Sequence, residues 1–74
     1  MNATTQAIID RLPQKPVLAP GDIASAFGMA TSAPIVEAIK RGRIAASSVG
    51  GKFYISRAEA ARYIEATAYT PDEA

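Results

Sequence analysis

Five cationic side chains, Lys40, Arg41, Arg43, Lys52 and Arg57, fall within residues 40–57, where no Asp or Glu intervenes. The chemistry open to such a stretch is electrostatic: ammonium and guanidinium groups attract phosphate and release its counterions. The rest of the chain sets Arg11, Lys15 and Arg62 against all seven acids. A formal net charge of +1 therefore divides into a segment of +5 and a remainder of −4. Clustering of this kind is the footprint expected of a nucleic-acid binder. The plainer alternative is a solvated face on which basic residues gather by chance, and charge alone favours that alternative, since a charge run without a motif is weak evidence.

Other chemistries lack their reagents. Among 74 residues there is no Cys and no His, so a disulfide frame, a thiol nucleophile, a zinc site of ordinary composition and imidazole acid–base catalysis are all excluded. An enzyme is not expected, and no cofactor is implied. The length allows one domain, which buries roughly 60% of its unfolded surface and is correspondingly marginal. No apolar run approaches the roughly 18 residues of a membrane span. The opening MNATTQAIID lacks the basic and apolar regions of a signal peptide. Absence of Cys fits the cytosol, and an apolar content of 49% argues against wholesale disorder.

The basic segment needs elements to position it. Residues 4–12 can form a short helix with Ala7, Ile8 and Leu12 on one side, or fray. Pro13 and Pro16 end it, and the connector leads into Val17 and Leu18, which read as an anchoring strand or arm. A second helix is predicted from Pro20 to Phe27, with Asp22 near its positive end, Ile23, Ala24 and Phe27 on its apolar face, and Gly28 as its stop. A third follows, with Thr31 or Ser32 as N-cap and Pro34 in its first turn. Ile35, Val36 and Ile39 form its stripe and Gly42 closes it. Two helices joined by a short Gly-containing turn make a helix-turn-helix candidate.

Ile44–Val49, Gly50-Gly51 and Lys52–Ile55 then read as two short strands about a two-residue turn, since Gly-Gly accepts the positive φ angles of a tight hairpin. Phe53 and Ile55 share one face of the second strand, assigned to the core, and Lys52 and Tyr54 share the other. Ser56 and Glu59 have capping-box spacing for a last helix, with Ala60, Tyr63 and Ile64 as its apolar face. The tail at 68–74, which includes TPDEA, is polar and expected to be disordered.

This order of elements resembles the excisionase and MerR-like winged helix-turn-helix domains. The likeness covers residues 17–64, about two-thirds of the chain. Its most specific part is GGKFYISRAEAARYI at 50–64, which is similar to the family's Gly-Gly-basic-aromatic-x-Ile-Ser-Arg run and the Tyr-aliphatic pair after it. Ile35, Ile39 and Gly42 match the apolar–apolar–Gly spacing that ends the recognition helix. The Gly28–Ile35 segment is one residue longer than the common pattern. Ala33, Pro34 and Glu37 stand where basic or hydroxyl residues are frequent. A carboxylate at Glu37 repels phosphate but can accept from a cytosine amino group.

The resemblance implies a mostly α fold with a two-stranded β-hairpin wing, organised as an N-terminal helix and Pro-rich connector (1–16), a winged domain (17–67) and a tail (68–74). Its third helix would read the major groove while the wing reaches the neighbouring minor groove or backbone. Lys40, Arg41, Arg43, Lys52 and Arg57 would meet the duplex, as would Thr31 and Ser32 and the backbone N–H groups of Gly50 and Gly51. Plainer roles stand beside these: Thr31 and Ser32 serve equally as caps, Tyr54 covers the hairpin, and Arg57 pairs with Glu59 or Glu37. Roughly 4–5 phosphate contacts give a log–log salt slope of about −4. The implied function is that of a recombination directionality factor, a cytoplasmic, nucleoid-associated bacterial or phage protein that binds double-stranded DNA. It would self-associate cooperatively on attachment-site DNA, bend or coat it, and so direct a tyrosine-recombinase integrase toward excision. A small transcriptional regulator is the near alternative, and a protein-interaction module is the one from a different class.

Overall fold

A computed structural model describes residues 2–69. Four helices and a three-stranded antiparallel sheet are built from them, in the order α1 (Ala3–Asp10), β1 (Val17–Leu18), α2 (Pro20–Phe27), α3 (Ala33–Lys40), β2 (Ser47–Val49), β3 (Lys52–Ser56) and α4 (Arg57–Ala66). The sheet runs β1-β3-β2. Leu18 lies opposite Ile55 and Val17 opposite Ser56, while Ser47, Ser48 and Val49 oppose Tyr54, Phe53 and Lys52. The two-residue apolar arm at Val17-Leu18 is thus a true strand, and the hairpin becomes a three-stranded sheet with β3 at its centre.

One large aliphatic from nearly every element meets in the core: Leu18, Ile23, Ile35, Ile44, Ile55 and Ile64 are almost wholly sequestered. Each contributes roughly 1.5–3 kcal/mol of burial. The N-terminal helix adds Ile9 and Leu12 to the same cluster, so α1 belongs to the same core as the rest. Its register differs from the sequence reading. Thr5, Ile9 and Leu12 are buried, whereas Ala7 is exposed and Ile8 half-buried. Asn2 caps this helix, its side chain accepting from the Thr5 N–H at 2.7 Å.

Capping explains the remaining boundaries. At α2, Asp22 reaches back to accept from the Ala19 N–H at 3.0 Å, and it also lies 3.7 Å from the Lys15 ammonium. The helices α2 and α3 end alike. The N–H of Met29 reaches Ala24 O and that of Arg43 reaches Ala38 O, both at 2.9 Å, the long bond of a Schellman motif. Such a turn needs a left-handed residue, supplied by Gly28 (φ 80°) and Gly42 (φ 77°). At α3, Ser32 holds the N-cap position but its side chain makes no capping bond. Thr31 Oγ1 instead accepts from the Ala33 N–H at 3.3 Å. The buried residues of α3 are Ile35 and Ala38, with Val36 and Ile39 only half-covered.

The strand expected from Ile44 begins only at Ser47, because the backbone before it is engaged elsewhere. The Ala45 N–H donates to Glu59 Oε2 and the Arg43 carbonyl accepts from Arg62. Ser56 caps α4 by accepting from the Glu59 N–H at 3.0 Å, so half of the expected capping box forms. The Glu59 carboxylate turns to Ala45 and Arg62 rather than back to Ser56. Phe27 and Tyr63 meet edge-to-face, with ring centres 6.5 Å apart. No helix among the described residues is long and apolar enough to cross a membrane. Of the tail expected to be disordered, residues 70–74 lie outside the described residues.

Candidate nucleic-acid interface

Every residue of β2 is exposed, and β2 is held to the sheet by its pairing to the central strand β3. Gly50 and Gly51 close it with φ of 58° and 80°, the doubly left-handed turn that matches strand twist. Both glycines are exposed, which leaves the hairpin tip sterically open. Between the hairpin, α3 and the start of α2 lies an open groove of about 670 Å³ whose walls include Lys40, Val36, Gly51, Lys52, Phe53 and Tyr54. Among the described residues, no carboxylate lines it. Val36 and Lys40 stand four apart and so share a face of α3, while Lys52 comes from the hairpin. Two cations far apart in sequence thus border one groove with an apolar floor.

The remaining expected contacts separate into four groups. Arg43 is exposed on the segment between α3 and β2. None of the three ion pairs among the described residues involves Lys40, Arg43 or Lys52. Arg41, by contrast, is paired. Its Nε lies 3.1 Å from Glu37 Oε1 across one helical turn. Thr31 and Ser32 sit at the start of α3, Thr31 occupied as a local acceptor and Ser32 half-buried.

Arg57 requires a correction. Its Nε donates to the Pro13 carbonyl at 3.1 Å and its Nη2 to the Ile9 carbonyl at 3.4 Å. Its own N–H donates to Pro16 O. The half-buried guanidinium is spent on the C-terminal end of α1 and the connector, and pairs with neither Glu59 nor Glu37. We therefore remove Arg57 from the candidate interface. The physical reason is that the proline-interrupted connector brings the Pro13 carbonyl within reach of the Arg57 fork, which adds a second, longer bond to the Ile9 carbonyl, already an acceptor for the Leu12 N–H.

Sequence reasoning missed a second polar cluster. Arg62 grips Glu59 with both ends of its fork, Nε to Oε1 at 2.9 Å and Nη2 to Oε2 at 2.7 Å. The same Nη2 donates to Arg43 O at 2.8 Å, and the same Oε2 accepts from Ala45 N at 2.9 Å. The Arg62 guanidinium first, and the Ala45 N–H next, lower the Glu59 pKa from 4.5 to about 2 against the opposing pull of burial. Glu59 raises the Arg62 pKa in return. The three-residue spacing of Glu59 and Arg62 was a legible sign of their pairing. Their reach to residues 43 and 45 was not.

The exposed face of α3 and its C-cap carries Ala33, Pro34, Glu37, Lys40 and Arg41. Two of these five have no hydrogen-bonding side chain and two neutralise each other, so the face is poor in groups that read base edges. Among the described residues, no group of three or more His, Cys, Asp or Glu side chains is placed to hold a metal ion. Comparison with protein-family models, with curated proteins and with solved structures finds no match.

Proposed function

We propose that the chain is a winged helix-turn-helix protein that binds double-stranded DNA, with α3 in the major groove and the β2–β3 hairpin as its wing. The observation that carries this reading is the groove bordered by Lys40 of α3 and Lys52 of the hairpin, with no carboxylate of the described residues in its lining. Arg43, in no ion pair among the described residues, adds a third cation on the segment joining those two elements. The amides of the Gly50-Gly51 turn are neutral phosphate donors at the tip.

With Arg57 and Arg41 occupied, about three cations remain to neutralise phosphates, giving a salt slope of about −3 rather than −4. A module with so few base-reading groups discriminates weakly alone. Its specificity would come from DNA deformability and from several copies on adjacent sites. That requirement, together with the resemblance of residues 50–64, supports the role of a recombination directionality factor. In that role copies shape attachment-site DNA at the bacterial or phage nucleoid and favour excision by a tyrosine-recombinase integrase.

The test is fluorescence anisotropy with random duplex across a salt series, on wild type and on the Arg43→Ala/Lys52→Ala variant, with folding checked by circular dichroism. Each lost contact lowers affinity about 8-fold at 0.1 M salt by counterion release alone, so the pair is expected to lose about 60-fold and to flatten the slope to about −1. A folded double variant that binds like wild type overturns the interface. Footprinting on DNA flanking the protein's own gene then tests the role: evenly repeated, cooperatively filled sites support it, and a single isolated site refutes it.

A further inference from the structure

The segment Arg41–Ala46 links α3 to the hairpin and lies outside both the helix and the strand ladder. On its helical side it is held by the Gly42 and Arg43 N–H groups, which donate to Ile39 O and Ala38 O. Inward it is held by Ile44, which is 2% exposed. Around Ile44 its backbone is fixed by two residues of α4. Arg62 donates to Arg43 O, Glu59 accepts from Ala45 N, and the two side chains are locked to each other by a bidentate pair. Four hydrogen bonds thus form one closed network around the peptide groups on either side of Ile44. Nothing in the capping of α4 requires it, since Ser56 already supplies the cap.

We propose that Glu59 and Arg62 are positioning residues that hold Arg43 in the orientation in which it meets a DNA phosphate. The inference rests on the DNA-binding reading above. The chemistry explains why a pair is used rather than a single acid. A lone carboxylate on the Ala45 N–H would fix the backbone equally well, but it would place a negative charge two residues from Arg43, where phosphate is to bind. The Arg62 fork neutralises that charge and uses its remaining N–H on the Arg43 carbonyl, so the network is both rigid and nearly uncharged. A lysine cannot replace it, because an ammonium lacks the planar fork that engages two carboxylate oxygens and a carbonyl together.

The test compares wild type with Arg62→Lys, Arg62→Met, Arg43→Ala and Arg43→Ala/Arg62→Met. Two readouts are used: hydrogen exchange of the Ala45 amide in the free protein, and the salt slope on random duplex. Expected are faster Ala45 exchange in both Arg62 variants and a loss of affinity approaching the roughly 8-fold of Arg43→Ala at 0.1 M salt. The slope should be shallower by about 0.9. The double variant should lose clearly less than the sum of the two single losses, since one contact cannot be lost twice and only the uncovered Glu59 charge adds to the loss of Arg43. Arg62→Lys keeps the charge, so it separates the roles. Retained wild-type affinity and slope in Arg62→Lys, or additive losses in the double variant, would show Arg62 acting as a phosphate ligand in its own right and overturn the proposal. Unchanged Ala45 exchange in Arg62→Met overturns it as well. Wild-type protein that binds no duplex at any salt overturns the DNA-binding reading together with the proposal, whereas binding with additive losses overturns the positioning role alone.

Discussion

Replacing Glu37 by Gln should make this protein bind DNA more tightly. Glu37 occupies the exposed face of α3, and its carboxylate holds the Arg41 guanidinium at 3.1 Å with both side chains more than half exposed. In the proposed complex it acts twice against binding, by repelling phosphate and by occupying a cation. Glutamine keeps the size and helix preference of the residue while removing both effects. The folding cost is the loss of one exposed pair one turn apart, about 0.3–0.5 kcal/mol. The gain is one more cation available to phosphate, which steepens the salt slope from about −3 to about −4 and raises affinity about 8-fold at 0.1 M salt. Anisotropy on random duplex between about 0.05 and 0.3 M salt measures both quantities, since counterion release makes the slope as informative as the affinity. The Glu37→Gln/Arg41→Ala variant is the control and should return the slope to its starting value. An unchanged or shallower slope in Glu37→Gln would refute the placement of this helix face against DNA. If Glu37 instead accepts from a cytosine amino group, the variant loses affinity at its own site while still gaining on random duplex.

Two further outcomes follow from the polar contacts. Arg57→Ala should cost about 2 kcal/mol in urea denaturation by leaving the Ile9 and Pro13 carbonyls without their charged donor, while the DNA salt slope stays at its wild-type value. For Glu59, the folded-state pKa lies below the unfolded one, at about 2 against 4.5, so its stabilisation is complete above pH 4.5 and disappears as pH falls toward 2. The urea midpoint of wild type should therefore exceed that of Glu59→Gln at neutral pH, by about 1 kcal/mol for a well-aligned surface pair, and the gap should close across that window. A gap as large at pH 2 as at neutral pH would mean that Gln disturbs packing rather than charge.

What was legible in the sequence was local. Gly50-Gly51 between strand-forming residues specified the turn, and the stops at Gly28 and Gly42 lie where left-handed residues close α2 and α3. The register of α1 was not legible, because Ile8 and Ile9 are adjacent and either can lead an apolar stripe. Packing against α4 and α2 selects Ile9. The pairing of Arg41 was readable from a Glu four residues earlier, and the cluster of five cations overstated what is free. Arg57 was misassigned because its partners, Ile9 and Pro13, lie far away along the chain, where no spacing rule reaches. The contacts of Glu59 and Arg62 with residues 43 and 45 escaped for the same reason.

The central position of β3 also governs when the chain can fold. Residues 52–56 pair with Val17 and Leu18 on one side and with Ser47–Val49 on the other, and Ile55 at their midst is wholly enclosed. A nascent chain emerging from the ribosome therefore carries two edge strands with no partner until the hairpin's second arm has left the tunnel. The earlier helices are each eight residues long, too short to persist unsupported. Folding is thus deferred until nearly the whole described chain has been synthesised, because no earlier segment can complete the sheet or its core.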